Sequence, residues 1–225
     1  MPRIGIITGV KTEEAALSPV MHDVDAPYVR LSGARPGRAV RGIETLIALG
    51  VDGILSFGTA GGVSSGRKPG DLIVADRVID ADTQSYPTDP AWSHRLSSLL
   101  SVTPETIAGL DYIADNDDKI RLAGEGIAAL DMESHTAGRL AADAGIPFAV
   151  LRAVVDPAGF TMPNYVLDSV RPDGSISLIP IIAGLCVQPW TIGPLLDLNS
   201  YNKKAMESLS SASRTLGPGF GLFAI

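Results

Sequence analysis

Cysteine, histidine and basic residues are scarce in this chain of 225 residues. The single cysteine, Cys186, excludes an internal disulfide and a cysteine-based metal cluster, and it fits a reducing compartment. The three histidines show no metal-ligand spacing, so we expect no metal and no cofactor. The net charge of -7 and a pI near 4.9 argue against nucleic-acid binding, which requires a basic face.

The chain is otherwise rich in apolar residues and glycine. Its 45% hydrophobic content, 24 glycines and mean hydropathy of +0.22 are typical of a compact protein with a buried sheet. Apolar strand segments alternate with helical ones, which predicts an α/β fold with three αβα layers around a mixed, mainly parallel sheet. No repeat or linker divides it, so we expect a single domain over 1–225. The start of the chain has no long apolar signal core, and we expect a cytoplasmic protein.

The segment 126–156 predicts a strand, a helix and a second strand. Glu133 follows the first strand, and Asp156 ends the apolar strand that begins at Phe148. Ligands of open α/β sheets bind at the carboxyl ends of the strands, so these two acids are candidates to face one pocket. The alternative for Glu133 is a structural one, because the helix dipole favours an acid in a first helical turn.

A third acid follows the first predicted strand, which runs over 3–9. Thr12 is expected to cap a short helix whose first turn carries Glu13 and Glu14. This places a carboxylate beyond another strand's carboxyl end. The alternative is that both acids are solvated, and we expect this for at least one of them.

Two glycine-containing segments are candidates for ligand binding. The strand predicted over 51–57 runs into a turn of small residues, where backbone amides can approach a ligand beside the Thr59 hydroxyl. The turn is neither a P-loop nor a dinucleotide fingerprint. In the segment 32–38, Arg35 and Arg38 precede a helix and form a candidate anion cradle. Their alternative is a solvated surface position.

The C-terminal part of the chain contains a long apolar segment and several prolines. The segment 178–196 is strongly apolar, but three prolines interrupt it, so we predict a helix, a turn at Gln188-Pro189 and a second helix over 192–214. This helical extension either packs on the sheet, forms the wall of an apolar substrate groove or contacts a membrane surface. The last residues, 217–225, are expected to be a frayed end.

Three motifs in order resemble the purine nucleoside phosphorylase/nucleosidase superfamily: GIITGVKTEEAAL, SFGTAGGVSSGRKPGDLIVAD and LDMES…VLRAVVD. The pattern is most similar to methylthioadenosine/S-adenosylhomocysteine nucleosidases. More narrowly, DMESH, VVDPAG, RPDG and the Gln-Pro-Trp turn resemble hopanoid-associated phosphorylases, which are linked to removal of adenine from adenosylhopane. The resemblance implies a homo-oligomer that acts on a small-molecule nucleoside. The apolar tail would suit a lipid-linked substrate and peripheral membrane contact.

The resemblance also implies roles for individual residues. Asp156 matches the acid that hydrogen-bonds or protonates purine N7, Glu133 the ligand of the ribose hydroxyls, and Glu13 the group that positions or activates water. Further positions match parts of the substrate site. Met132 would lie beside the sugar or base, and Ile113 near the base. Thr59 matches a phosphate-binding position, and Gly58, Ala60 and Gly61 surround Thr59.

Hydrolysis and phosphorolysis both remain open from the sequence. Phosphorylases of this type place an arginine three residues before the hydroxyl of the glycine-rich turn, and here that position is Ser56. Arg35 and Arg38 are candidates to replace it, since a guanidinium suits phosphate, whereas Glu13 favours water. We favour phosphorolysis, with phosphate as co-substrate. The remaining alternative is a non-catalytic nucleoside-binding or lipid-binding protein.

Overall fold

The structure is a computed structural model that describes residues 3–112, 114–160, 164–171 and 173–222. Its strands in chain order are β1 (Ile4–Thr8), β2 (Tyr28–Leu31), β3 (Gly53–Gly62), β4 (Leu72–Asp80), β5 (Ser85–Pro87), β6 (Glu105–Gly109), β7 (Ala129–Asp131) and β8 (Phe148–Asp156). The helices are α1 (Lys11–Ala15), α2 (Pro36–Ala48), α3 (Pro90–Leu100), α4 (Asn116–Gly124), α5 (Ser134–Ala144), α6 (Asn164–Asp168), α7 (Leu178–Val187) and α8 (Ile192–Leu216).

The strands form one mixed sheet in which parallel pairs predominate. The order is β2-β1-β3-β7-β6-β4-β5, and β8 pairs with both β3 and β4. Strands β3, β8, β4, β6 and β7 therefore form a closed circuit of pairings, in which β3 pairs with β8 in parallel and with β7 in antiparallel orientation. The fold class predicted from the sequence is confirmed.

Alternating side chains of the central strands build a core on each face of the sheet. Leu55 and Leu151 belong to one buried cluster with α3 and α8, whereas Ile54 and Val150 belong to another with α2 and α5. Strand β8 is buried along its whole length, as expected for a strand covered on both faces. These layers fix the carboxyl ends of β1, β3 and β8, which position the site.

Two local predictions near the glycine-rich motif are wrong. The expected turn after residue 57 is the second half of β3, because residues 58–61 continue the pairing with β8. Helix α1 begins before Thr12, which lies inside it. The backbone N–H groups of Gly9 and Val10, which precede the helix, donate hydrogen bonds to the Glu13 carboxylate instead of to a Thr12 cap.

The tail forms α7, a 3-10 turn over Pro189–Thr191, and α8, as the sequence predicts. The expected frayed end is wrong for the described part of 217–225, because Phe220 and Leu222 are buried. The Trp92 indole donates to the Phe220 carbonyl at 2.7 Å, and the Arg95 guanidinium donates to the next two carbonyls. None of the helices that the structure describes combines the length and the apolar character needed to cross a bilayer.

Candidate active site

A cleft of about 310 Å³ opens where β1, β3 and β8 end, beside α1 and the β7–α5 connection. This volume is at the lower end of the range of small-molecule sites. Four buried carboxylates line it, those of Glu13, Asp131, Glu133 and Asp156, which come from three different parts of the chain. The sheet thus brings together acids that are far apart in sequence.

Glu13 accepts the largest number of hydrogen bonds among these carboxylates. Its Oε2 accepts hydrogen bonds from the Thr8 hydroxyl at 2.9 Å and from the amides of Gly9 and Val10 at 2.8 and 3.1 Å. Its Oε1 accepts from the amide and the hydroxyl of Thr59, both at 2.7 Å. A carboxylate has about four acceptor positions, so the protein saturates this one. Only a hydroxyl rotation at Thr8 or Thr59 can release an acceptor position without moving backbone.

Glu133 belongs to a buried charge network with Arg152. Its Oε1 accepts from the Ser32 hydroxyl at 2.8 Å, and its Oε2 lies 3.4 Å from the Arg152 guanidinium. Arg152 Nε is 2.7 Å from Asp131 Oδ2, and Asp131 also accepts from the amides of Glu133 and Ser134. Burial raises the pKa of Glu133 to about 7, Arg152 opposes that shift, and the charges of Asp131 and Glu13 add to it.

Asp156 lies on the other side of the cleft, beside a lysine. Its Oδ2 accepts from Lys119 Nζ at 2.5 Å, and the same ammonium donates to the Phe160 carbonyl at 3.1 Å. Burial raises the pKa of Asp156, while the Lys119 charge and hydrogen bond lower it. Gly61 makes room for this carboxylate, since a Cβ there would lie 3.3 Å from both of its oxygens.

One wall of the cleft is apolar and comes from the C-terminal half of the chain. It consists of Val166 on α6, Leu198 on α8, and Val170 and Ile176, which form an isolated antiparallel bridge. The bridge region is attached to α1, because the Lys11 amide donates to the Gly174 carbonyl at 3.0 Å. Part of the predicted helical extension therefore lines the groove.

Most of the candidate residues lie at this cleft. Its lining includes the predicted residues Glu13, Thr59, Ala60, Gly61, Met132, Glu133 and Asp156. Gly58 lies directly behind it, between Glu13 and Arg152. Arg35 is exposed, Arg38 is half-buried, and neither lines the cleft, although their neighbour Ala34 does. Ile113 lies outside the residues that the structure describes.

Sequence reasoning missed Arg152 and Lys119. A signal existed for Arg152, because it is the single charge within the apolar run 148–155 and acids precede it at 131 and 133. The sequence contains no comparable signal for Lys119, because it belongs to a polar helix with several charges that are exposed at the surface. At Ser56, where phosphorylases carry an arginine, the hydroxyl receives a hydrogen bond of 2.6 Å from Arg152.

The phosphorylase superfamily model matches residues 34–171, which include the β3 motif, Glu133 and Asp156. That match covers more than half of the chain. The chain belongs to the phosphorylase superfamily. A curated relative in sequence is a 5′-methylthioadenosine/S-adenosylhomocysteine nucleosidase of Listeria innocua, 28% identical over a match that covers 47% of this chain and 57% of the relative. The match thus spans little more than half of that protein.

Solved structures resemble the fold of almost the whole chain. The S-adenosylhomocysteine nucleosidase of Streptococcus pyogenes, in complex with 5-methylthiotubericidin, has a TM-score of 0.71 at 19% identity and covers 99% of this chain and 98% of its own. Futalosine hydrolase of Helicobacter pylori has a TM-score of 0.72 at 16% identity, with coverage of 96% and 97%. At these identities the likeness concerns the fold alone.

Proposed function

We propose that this protein is a nucleosidase that hydrolyses the N-glycosidic bond of an adenosine-type nucleoside. The observation that carries the proposal is that three of the four buried carboxylates at the cleft, those of Glu13, Glu133 and Asp156, converge on one space in a superfamily member, while the fourth, Asp131, is paired with Arg152. Relatives named as nucleosidases and a hydrolase support the same reaction class.

The proposed reaction assigns one task to each acid. Asp156 donates a proton to N7 of the base while the C1′–N9 bond breaks and its electron pair passes to the base. Glu133 accepts hydrogen bonds from the ribose hydroxyls and stabilises the positive charge that develops on the sugar. Glu13 orients the water that attacks C1′ and takes its proton, which yields free base and free sugar. General acid–base assistance of this kind contributes about 10²–10⁴-fold in rate. No cofactor takes part.

The charges of the cleft favour water over phosphate as the nucleophile. Its described lining includes Glu13, Asp131, Glu133 and Asp156 against one cation, Lys119, which is paired with Asp156. Arg152 lies behind the lining, where Asp131 and Glu133 neutralise it. A phosphate dianion would meet uncompensated negative charge. We therefore favour hydrolysis over the phosphorolysis that the hopanoid-associated resemblance and the Arg35/Arg38 loop predict, since neither arginine lines the cleft.

The substrate that suits this cleft carries an apolar 5′ substituent. The wall of Val166, Val170, Ile176 and Leu198 is uncharged and leads toward the surface, where Ile176 is 46% exposed. Apolar area buried on binding contributes roughly 25 cal/mol per Å². A long apolar substituent of the adenosylhopane kind would extend along this wall and out of the cleft.

The test is adenine release from adenosines with a 5′-methylthio or a long 5′-alkyl group, with and without phosphate. We expect release without phosphate, the correspondingly 5-substituted ribose as the sugar product, and a lower KM for the alkyl substrate. Asp156→Asn should lose at least about 100-fold in kcat. Asp143→Asn, at an exposed position of α5, is the matched control.

Other outcomes would identify the alternatives. Strict dependence on phosphate with a sugar 1-phosphate product would establish phosphorolysis. Tight nucleoside binding without release, unaffected by Asp156→Asn, would contradict an enzymatic role and establish a binding protein.

We also propose that α7 and the following turn contact a membrane surface. Residues 176–196 contain no charged side chain, and none of the ten residues of α7 is buried. Ile179 is 74% and Trp190 73% exposed. A helix that is apolar on all sides is ordinarily buried in protein or lipid, and tryptophan is enriched at membrane interfaces. This surface adjoins Ile176 at the apolar wall, so a lipid-linked substrate would enter the cleft directly from the bilayer.

The single cysteine, Cys186, is exposed on α7 and accepts an environment-sensitive fluorophore without mutation. We expect a blue shift when phosphatidylcholine vesicles are added, and its loss in Ile179→Ser/Trp190→Ser. A blue shift that instead follows protein concentration without vesicles would show that a second copy covers α7. That result would contradict membrane contact and support the expected homo-oligomer.

A further inference from the structure

Lys119 is a buried ammonium in a helix whose other charges lie at the surface. On α4, Arg121 is exposed and pairs with Asp118 and Glu125 along the helix. Lys119 instead points inward and lines the cleft together with Asp156. The side chains of this pair are only 6% and 7% exposed.

Burying such an ion pair gains little folding stability, so its position at the cleft points to a role other than stability. Each buried ion loses several kcal/mol of hydration in general, and apolar residues of similar volume often replace such pairs without loss of stability. The Lys119 ammonium has two acceptors among the described residues, Asp156 Oδ2 and the Phe160 carbonyl. It therefore fixes the carboxylate to the loop that follows β8.

We propose that Lys119 is a positioning residue that makes Asp156 an effective proton donor to the leaving base. This inference rests on the proposed nucleosidase function. The ammonium occupies Oδ2, and the structure describes no side chain that donates to Oδ1, which leaves Oδ1 for the base.

Two opposing effects support this role. Burial raises the pKa of Asp156, which keeps a proton on the acid, whereas Lys119 lowers it, which allows the proton to leave. In the proposed step the Asp156 O–H bond breaks and the N7–H bond forms. The carboxylate that remains is then paired with the ammonium already in place.

The test compares two substrates of the same enzyme. A purine riboside requires protonation of its leaving group, whereas 4-nitrophenyl riboside releases a stable phenolate without it. In Lys119→Met we expect kcat to fall about 100-fold on the purine riboside and less than about fivefold on the nitrophenyl riboside. Asp156→Asn should show the same selectivity, and Lys119→Arg should restore purine cleavage to within about tenfold. Lys204→Met, at an exposed position of α8, should leave both rates unchanged.

Each other result has a distinct meaning. An equal loss on both substrates in Lys119→Met would show a merely structural role and overturn the inference. If Lys119→Met does not fold, Lys119→Arg decides, because an equal loss on both substrates in that variant overturns it as well. A wild-type enzyme that cleaves neither substrate would overturn the proposed function itself.

Discussion

Glu13 Oε1 accepts two hydrogen bonds from a single residue, one from the Thr59 amide and one from the Thr59 hydroxyl, each at 2.7 Å. The pair joins the start of α1 to β3 across the floor of the cleft. The amide cannot withdraw without bending β3, whereas the hydroxyl can rotate. Glu13 is therefore held firmly and still has one acceptor position that a water molecule can claim.

Glu13→Gln should lower kcat for base release by about 10²–10⁴-fold, since a neutral amide cannot take a proton from water. KM should change little. The variant should also lose about 1–3 kcal/mol of unfolding free energy, because the Gln NH₂ group opposes N–H and O–H donors. Steady-state kinetics and urea unfolding measure the two effects. Glu14→Gln, at the neighbouring position outside the cleft lining, should leave both unchanged.

Thr59→Val should keep kcat within about tenfold of wild type. Valine preserves the shape and the amide, and it frees the acceptor position of Glu13 that we assign to water. The measurement is kcat and KM with and without phosphate. A loss as large as that of Glu13→Gln would contradict the water site and make the hydroxyl a direct ligand of substrate.

Glu133 should make the protein less stable as the pH rises from about 4.5 to about 7. Its pKa is about 7 in the folded protein against an ordinary value of 4.5, so the folded state binds more protons in this window. The free energy of unfolding then falls with pH, in total by roughly 3 kcal/mol for this group. In urea titrations at pH 5 and 8, Glu133→Gln should lack this part of the decrease.

The control for that experiment is Glu44→Gln, at an exposed position of α2. It should follow the wild-type pH dependence. A difference between Glu133→Gln and wild type that is the same at both pH values would refute the raised pKa.

Gly58→Ala should destabilise the fold by about 2–4 kcal/mol and reduce activity. A Cβ at this position would lie 2.7 Å from Arg152 Nη1 and 2.8 Å from Glu13 Cδ, and both side chains are fixed by hydrogen bonds. Thermal unfolding and base release measure the outcome. Gly193→Ala provides the comparison, because open space surrounds that helical position and alanine should stabilise it by up to ~1 kcal/mol.

The sequence by itself determined the fold class, most of the strands and helices, and the three acids. These follow from local rules, since apolar runs and their spacing mark strands and helices, and acids after strands mark the ligand edge of a sheet. The same rules were wrong about residues 58–61, because the pairing of β3 with β8 is not encoded in the small residues themselves. They were wrong about the C-terminal end because Trp92 and Arg95, which bind it, come from a distant helix.

Only the tertiary structure decided which charges meet. Arg152 joins Glu133 and Asp131, Lys119 joins Asp156, and Arg35 and Arg38 remain outside the cleft. The physical reason is that the energy of a charge depends on its burial and on neighbours within a few ångströms. These neighbours come from other elements of the fold, between 19 and 37 residues away in sequence, and no periodicity along the chain specifies them.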